Sequence, residues 1–234
     1  MQAVILAAGR GKRMNHLTSG TPKPLIRVAG KNLIEHKLDI LPSEIDEVII
    51  VVGYLGDQIE DYFGDFYGDK KIIYVDQGDL NGTAGALWQA KPLLGERFIV
   101  MMGDDIYGRD EIKKCIENGW TILVQKVTSP RQGAKVIVNE RGAIETIEEN
   151  VKLVPGDLGN AGMYVLSRDI FNYPLVPKGP GEKEFGLPQT IVKAAKDFEI
   201  KIVEAKNWIQ LTSPEDIDRV DKILSSKKDK LTVL

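Results

Sequence analysis

The chain of 234 residues has one cysteine, Cys115, and two histidines, His16 and His36. A lone thiol excludes an intrachain disulfide framework and suits a reducing, cytoplasmic setting. Cys115 falls in the helix-like stretch 110–118 and reads as a packing residue, not a nucleophile. Two histidines are too few for a histidine-based metal centre. No apolar run approaches the roughly 18 residues of a membrane span, and the N-terminus lacks the pattern of a signal peptide. Neither sign of charge dominates: 31 basic residues stand against 34 acidic ones, a net −3, which gives no support to a nucleic-acid surface. Internal repeats, a hexapeptide β-helix pattern and an interdomain linker are all missing. What is left is a globular chain, long enough for one sizeable α/β domain.

The richest stretch comes first. An apolar run, Ala3 to Leu6, reads as a buried strand and leads directly into Gly9-Arg10-Gly11. Two glycines there open backbone angles closed to other residues and let main-chain N–H groups converge. Lys12 and Arg13 follow at once, and Lys23 lies in Thr21-Pro22-Lys23-Pro24-Leu25. A strand leading to bare donors and cations suits a polyphosphate. A dinucleotide fingerprint needs a third glycine where Met14 stands, and a P-loop needs Ser or Thr where Arg13 stands. Residues 15–24 read instead as a loop. An ordinary strand-to-loop turn with solvated cations is the plain alternative.

Further along, Asn32 and Glu35 have capping-box spacing, with Ile34, Leu38 and Leu41 on one face and Pro42 as the stop. Strands are expected at 47–52, 71–75 and 98–102, and helices at 57–63 and 82–93. This alternation predicts a Rossmann-like, doubly wound α/β fold, with a mixed but mostly parallel sheet and helices on both faces. Ligands of such sheets bind beyond the carboxyl ends of the strands. Residues 120–127, 134–138, 143–147 and 162–166 are closely spaced strand candidates, with a hairpin turn at 139–142. A helix at 187–196 and a strand at 201–205 follow. Ser213, Pro214 and Asp216 then open a closing helix that turns Ile217, Val220 and Leu224 inward, with a frayed tail after Ser225.

Two further strand ends carry chemistry. Met102-Gly103-Asp104-Asp105 places a carboxylate where a hard cation such as Mg²⁺ could be held with phosphate, or where an aspartate simply caps a turn. Gln77 to Leu87 ends in Gly82-Thr83 at a helix start, whose free N–H groups and small side chains allow a flat ligand close, or whose alanines merely pack on the sheet.

The combined string Leu6-Ala7-Ala8-Gly9-Arg10-Gly11-Lys12-Arg13-Met14 plus Pro22-Lys23-Pro24-Leu25 resembles the signature of the sugar-1-phosphate nucleotidyltransferases, the nucleotide-sugar pyrophosphorylases. The resemblance implies a transferase converting a nucleoside triphosphate and a sugar 1-phosphate to a nucleotide-sugar and pyrophosphate, of the glucose-1-phosphate thymidylyl- or uridylyltransferase kind. It implies catalytic roles for Arg13, Lys23 and Asp104, with Mg²⁺ on Asp104. It implies nucleotide contacts from Leu6, Ala7, Ala8, Gly9, Gly11, Lys12, Gln77, Gly82 and Thr83. Sugar contacts would come from Gly133, Glu149, Asn160, Glu184 and Trp208. The domain would cover residues 1–225, with a nucleotide-binding half at 1–130 and a sugar-binding half at 131–225, and residues 226–234 as the tail. Neither nucleic acid nor membrane is expected as a partner, and self-association is left open.

Two departures weaken the match after Gly133. The family's Glu-Lys-Pro reads Glu149-Asn150-Val151 here, with Lys152 the nearest cation. The stretch Trp208 to Pro214 places Gln210 where relatives often carry a second metal-binding aspartate, and its neutral amide oxygen can ligate Mg²⁺ but contributes no charge. Asp105 would then either restore that charge or cap a turn ahead of Tyr107. Another phosphorylated acceptor, such as phosphocholine or inositol phosphate, and a catalytically weak nucleotide-binding protein are the rival readings.

Overall fold

The computed structural model describes residues 1–79 and 81–231, without the side chains of 226–231. The strands are β1 Gln2–Leu6, β2 Arg27–Val28, β3 Lys31–Asn32, β4 Glu47–Val52, β5 Phe66–Tyr67, β6 Lys70–Asp76 and β7 Arg97–Met102. They continue with β8 Asp105–Ile106, β9 Thr121–Lys126, β10 Arg131–Val138, β11 Ile144–Leu153, β12 Leu158–Ser167, β13 Lys201–Glu204 and β14 Ile209–Gln210. The helices are α1 Leu33–Leu38, α2 Gly56–Phe63, α3 Gly82–Ala90, α4 Arg109–Ile116, α5 Leu187–Ala194 and α6 Glu215–Leu231.

Ten strands form one sheet in the order β11-β10-β12-β7-β1-β4-β6-β5, with β9 and β13 joined through β12. From β6 through β4 and β1 to β7 every pairing is parallel. Beyond β7 the sheet turns antiparallel through β12, β10 and β11. The chain moves from β1 outward to β4 and β6, then returns to lay β7 on the other side of β1. A crevice opens at such a reversal, beyond the carboxyl ends of the strands on either side.

Alternation along the central strands explains why helices cover both faces. Val4, Leu6, Ile49, Val51, Phe98 and Val100 face one core, which Leu87 of α3 and Ile191 of α5 complete. Ala3, Ile5, Val48, Ile50, Ile99 and Met101 face the other, against Ile34 and Leu38 of α1, Ile59 of α2 and Cys115 of α4. Each such aliphatic side chain removed from water contributes roughly 1.5–3 kcal/mol. Cys115 is therefore a packing residue, its thiol pushed up to about 12 by burial. A third core, built on Met14, Leu33, Ile106, Leu211 and Val220, fastens α6 beneath the first loop.

Local signals decide several boundaries. Asn32 and Glu35 form the expected reciprocal capping box, although α1 stops at Leu38, before Pro42. Asp216 accepts from the N–H groups of Thr212 and Ser213 at the start of α6, the reaching-back half of a box. Helical backbone continues past Ser225 to Leu231, with neither glycine nor proline in its way; residues 232–234 lie outside the described residues. Residues 15–24 are not plain loop: short 3₁₀ turns occupy Lys12–Thr18 and Lys23–Leu25. Pro92 ends the α-helical part of α3 early, leaving a 3₁₀ turn at Lys91–Leu93.

Candidate functional site

At the reversal between β1 and β7 lies a cleft of about 850 Å³. Its floor is the end of β1, where Leu6, Ala7 and Ala8 run into the loop Gly9 to Arg13. The N–H groups of Gly9, Arg10 and Gly11 donate to no acceptor among the described residues, so they remain available to a ligand. Gly11 has φ +62°, and a Cβ there would lie 2.9 Å from Lys23 Cβ. The glycine thus lets the loop and Lys23 close on each other. Lys12 and Arg13 are exposed.

The second wall is the end of β7. Gly103 N–H bonds the Leu6 carbonyl at 2.9 Å, and a Cβ on Gly103 would meet that oxygen at 2.6 Å. Only glycine lets the two strand ends touch, and that contact brings Asp104 beside the phosphate-type loop. Lys23 Nζ then donates to Asp104 Oδ2 at 2.8 Å. Beneath them Lys37 is buried, donating to the carbonyls of Leu33 and Gly103 at 3.0 Å each. Burial pushes its ammonium down to about 8 against the opposing pull of Asp105 and Asp104.

Asp105 is neither a cap nor a cleft carboxylate. It is 2% exposed, and the start of α4 at Gly108 has no side-chain cap. Its Oδ2 accepts from the Tyr107 hydroxyl at 3.3 Å while Oδ1 has no partner, and burial raises its pKa well above the usual carboxylate value. The reason is that β8 pairs with β14, which draws Asp105 into the interior and leaves Asp104 on the open side.

On the third side stand Gln77, Gly82 and Thr83. The Gln77 amide donates to Asn81 Oδ1 at 3.1 Å and to the Gly82 carbonyl at 3.0 Å. The N-terminus of α3 is not free in the way the sequence suggested. Ala84 N–H donates to the Phe185 carbonyl, Thr83 Oγ1 accepts from Leu187 N–H, and a Cβ on Gly82 would lie 2.4 Å from Phe185 O. Gly82, at φ +96°, therefore accommodates the segment before α5. That segment carries Glu184 to the cleft together with Lys178, paired at 2.6 Å.

Thirteen residues singled out from the sequence meet in the cleft: Leu6, Ala7, Ala8, Gly9, Gly11, Lys12, Arg13, Lys23, Gln77, Gly82, Thr83, Asp104 and Glu184. Gly133, Glu149, Asn160, Trp208 and Gln210 are not among its lining. Gly133 faces Leu153 and the Arg131 guanidinium. Glu149 is half-buried, its pKa raised by burial and drawn back by Lys178. Asn160 bonds Tyr164 at 2.8 Å and Gly162 N–H at 2.9 Å, holding the irregularity of β12. Trp208 is 7% exposed, and Gln210 is exposed on β14. Lys178 and Lys37 were not singled out, since a lysine in a Pro-Gly loop or at the border of a helical face has no spacing signal.

A glycine loop, cations and one carboxylate gathered beyond the strand ends at a switch point form a site suited to a polyphosphate. Residues 2–216 match the model of the nucleotidyl transferase family, and the chain belongs to that family. It is 30% identical over 232 residues to the bifunctional protein GlmU of Methanocaldococcus jannaschii, covering 97% of this chain and 55% of that protein. The chain spans about half the length of the GlmU relatives it matches. It is 28% identical over 245 residues to the UTP–glucose-1-phosphate uridylyltransferase AglF of Haloferax volcanii, covering 99% of this chain and all of that protein. The fold is shared with the inositol-1-phosphate CTP transferase of T. maritima, at a TM-score of 0.76 and 23% identity over 96% of this chain and 94% of that one. Among the described residues no helix is long and apolar enough to cross a membrane.

Proposed function

We propose that the chain transfers a nucleotidyl group from a nucleoside triphosphate to a sugar 1-phosphate, releasing pyrophosphate. The observation that carries this reading is the meeting of unbonded loop amides, Arg13 and the Lys23–Asp104 pair in one cleft. An acceptor phosphate oxygen attacks the α-phosphorus, the bond to the bridging oxygen breaks, and pyrophosphate leaves in line. Such chemistry needs positioning and charge stabilisation more than covalent participation. The amides of Gly9 to Gly11 and the side chain of Arg13 hold the leaving phosphates, and Lys23 holds the α-phosphate. Lys178, on the segment that crosses the cleft, holds the acceptor phosphate, and Glu184 and Glu149 accept from acceptor hydroxyls.

Among the described residues no three His, Cys, Asp or Glu side chains converge as a metal cage. A half-buried Asp104 in the phosphate cleft nevertheless fits Mg²⁺, which binds through one or two carboxylates plus substrate phosphates. When bound, the ion supplies neutralisation of phosphate charge. The Gln77 amide N–H groups are already engaged, leaving its oxygen to accept from a base. That supports an imide N–H, as in uracil or thymine, and AglF by name uses UTP and glucose 1-phosphate. A cytoplasmic enzyme is proposed with it.

A second reading, another phosphorylated acceptor, is favoured by one relative. The bifunctional IPC transferase and DIPP synthase of Archaeoglobus fulgidus is 30% identical over 231 residues, covering 97% of this chain and 44% of that protein. Pyrophosphate release from UTP, TTP, CTP and GTP against glucose 1-phosphate, inositol 1-phosphate and phosphocholine tests both. Turnover with UTP or TTP and glucose 1-phosphate is expected. Turnover confined to inositol 1-phosphate or phosphocholine would overturn the sugar reading in favour of the second.

A further inference from the structure

Asn81 stands at the start of α3, where an asparagine ordinarily accepts from the N–H groups of the first turn. Its side chain makes no such bond among the described residues. Ala84 N–H goes instead to the Phe185 carbonyl at 3.1 Å, so the segment before α5 supplies the cap. Asn81 Oδ1 accepts from Gln77 Nε2 at 3.1 Å. Gln77 lines the cleft and Asn81 does not, so Asn81 stands behind the side chain that meets the ligand. Gly85, one turn further along α3, gives that arrangement its room. A Cβ there would fall 1.8 Å from Asn81 Oδ1 and 2.4 Å from its Cγ, and the three nearest atoms all belong to the Asn81 side chain. Glycine inside a helix is less favourable than alanine, and Gly85 is not at positive φ, so it is the Asn81 side chain that accounts for it.

This pair decides which end of the Gln77 amide meets a base. The Gly82 carbonyl lies 3.0 Å from the same Gln77 nitrogen and can only accept. Both amide hydrogens are thus taken, one by Gly82 and one by Asn81. Turning the amide over would break both bonds and set its oxygen against two others. Uracil and thymine carry a hydrogen on N3, whereas N3 of cytosine is an acceptor. A fixed carbonyl bonds the first and repels the second, while an amide free to turn serves both.

We propose that Asn81, given room by Gly85, is a positioning residue for base selection. It holds Gln77 with its oxygen toward the base and so favours a pyrimidine bearing N3–H over cytosine. The inference rests on the reading of Gln77 as the base-reading side chain of a nucleotidyltransferase, and the experiment separates the two.

The readout is the ratio of kcat/KM for UTP to that for CTP, measured with the acceptor that gives turnover. Calorimetry gives the corresponding ratio of nucleotide affinities. Asn81→Ala should lower the ratio about tenfold, the worth of one hydrogen bond holding an orientation, chiefly through better use of CTP. Asn81→Asp still accepts from Gln77 and should keep the wild-type ratio. Gly85→Ala should act like Asn81→Ala, because its Cβ displaces the Asn81 side chain. In the double variant with Asn81→Ala, Gly85→Ala should change the ratio no further and should raise the Tm. A ratio unchanged in Asn81→Ala or in Gly85→Ala, with both nucleotides weakened alike, marks a structural role and overturns the proposal while the wild-type preference for UTP stands. A wild type that favours CTP, or binds neither nucleotide, overturns the reading of Gln77 and the proposal with it. If no acceptor is turned over, the transferase reading fails by itself, and the affinity ratio decides Asn81 by the same criteria.

Discussion

Lys23 Nζ and Asp104 Oδ2, 81 residues apart in sequence, meet at 2.8 Å inside the cleft. The pair is lopsided: the lysine side chain is 7% exposed and the aspartate 34%. Asp104 thus faces the open cleft while anchoring a cation that cannot readily turn away. Asp104→Asn keeps a polar group of the same shape and removes the charge. It should cost about 1–2 kcal/mol of stability, the scale of one charge-assisted hydrogen bond partly open to water. Divalent-metal-dependent turnover should be lost. Urea melts and a Mg²⁺ activation curve check both parts, and a variant with wild-type kcat at limiting Mg²⁺ would remove Asp104 from metal binding.

Arg13 is exposed, lines the cleft, and makes no ion pair among the described residues. Its truncation should therefore leave the Tm within about a degree while lowering kcat by about two orders of magnitude, as when one preorganised charge-stabilising donor is removed. Rapid-quench measurement of pyrophosphate release separates this from slower product departure. Near-normal turnover in Arg13→Ala would take the side chain out of the mechanism.

The glycine-loop side of the cleft was legible because its parts are continuous in sequence and sit at strand ends. Gly9 to Arg13 follow β1 directly, Asp104 follows β7, and parallel pairing brings those ends together. Features made by distant pairing were not legible. Asp105 invites a capping or metal reading until the two-residue pairing of β8 with β14 buries it. Gly82 looks like an opening for a ligand, yet the carbonyl that requires its missing Cβ belongs to Phe185. Gly133 likewise makes room for Leu153, which arrives from the paired strand β11, and for the Arg131 guanidinium on its own strand. Periodicity reports which face a residue takes, and says nothing of which distant backbone arrives there.

Burial raises the pKa of Glu149 above 4.5, with Lys178 acting in the opposite direction. The folded state therefore binds this proton more tightly than the unfolded chain. The favourable contribution is complete below pH 4.5 and is lost as pH rises through the folded value, so at pH 7 the ionised carboxylate subtracts from stability. Glu149→Gln should be more stable than the wild type at pH 7, and the advantage should vanish near pH 4. The acceptor KM should rise, because a carboxylate accepts from hydroxyls more strongly than an amide does. Equal gains at both pH values would show that desolvation of the charge is not the cause.

Position 210 offers the sharpest test of the metal assignment. The Asp104 carbonyl accepts from Leu211 N–H at 3.3 Å, and Gln210 lies opposite Asp105 in the β8–β14 pair. Backbone bonds thus fasten residue 210 next to the strand end that bears Asp104, while its side chain is exposed and neutral. A carboxylate introduced there adds the charge that an amide oxygen lacks. Gln210→Asp should lower the Mg²⁺ concentration for half-maximal activity several-fold. Without metal it should lower the Tm slightly, since a third carboxylate joins Asp104 and Asp105. Asp105→Asn acts on a buried group behind the cleft, so the half-maximal Mg²⁺ concentration should stay where it is in the wild type. Mg²⁺ titrations of both variants at saturating nucleotide decide the matter. If Asp105→Asn moves the midpoint as far as Gln210→Asp does, then Asp105 reaches the ion and the interior placement of its carboxylate does not hold in the working enzyme.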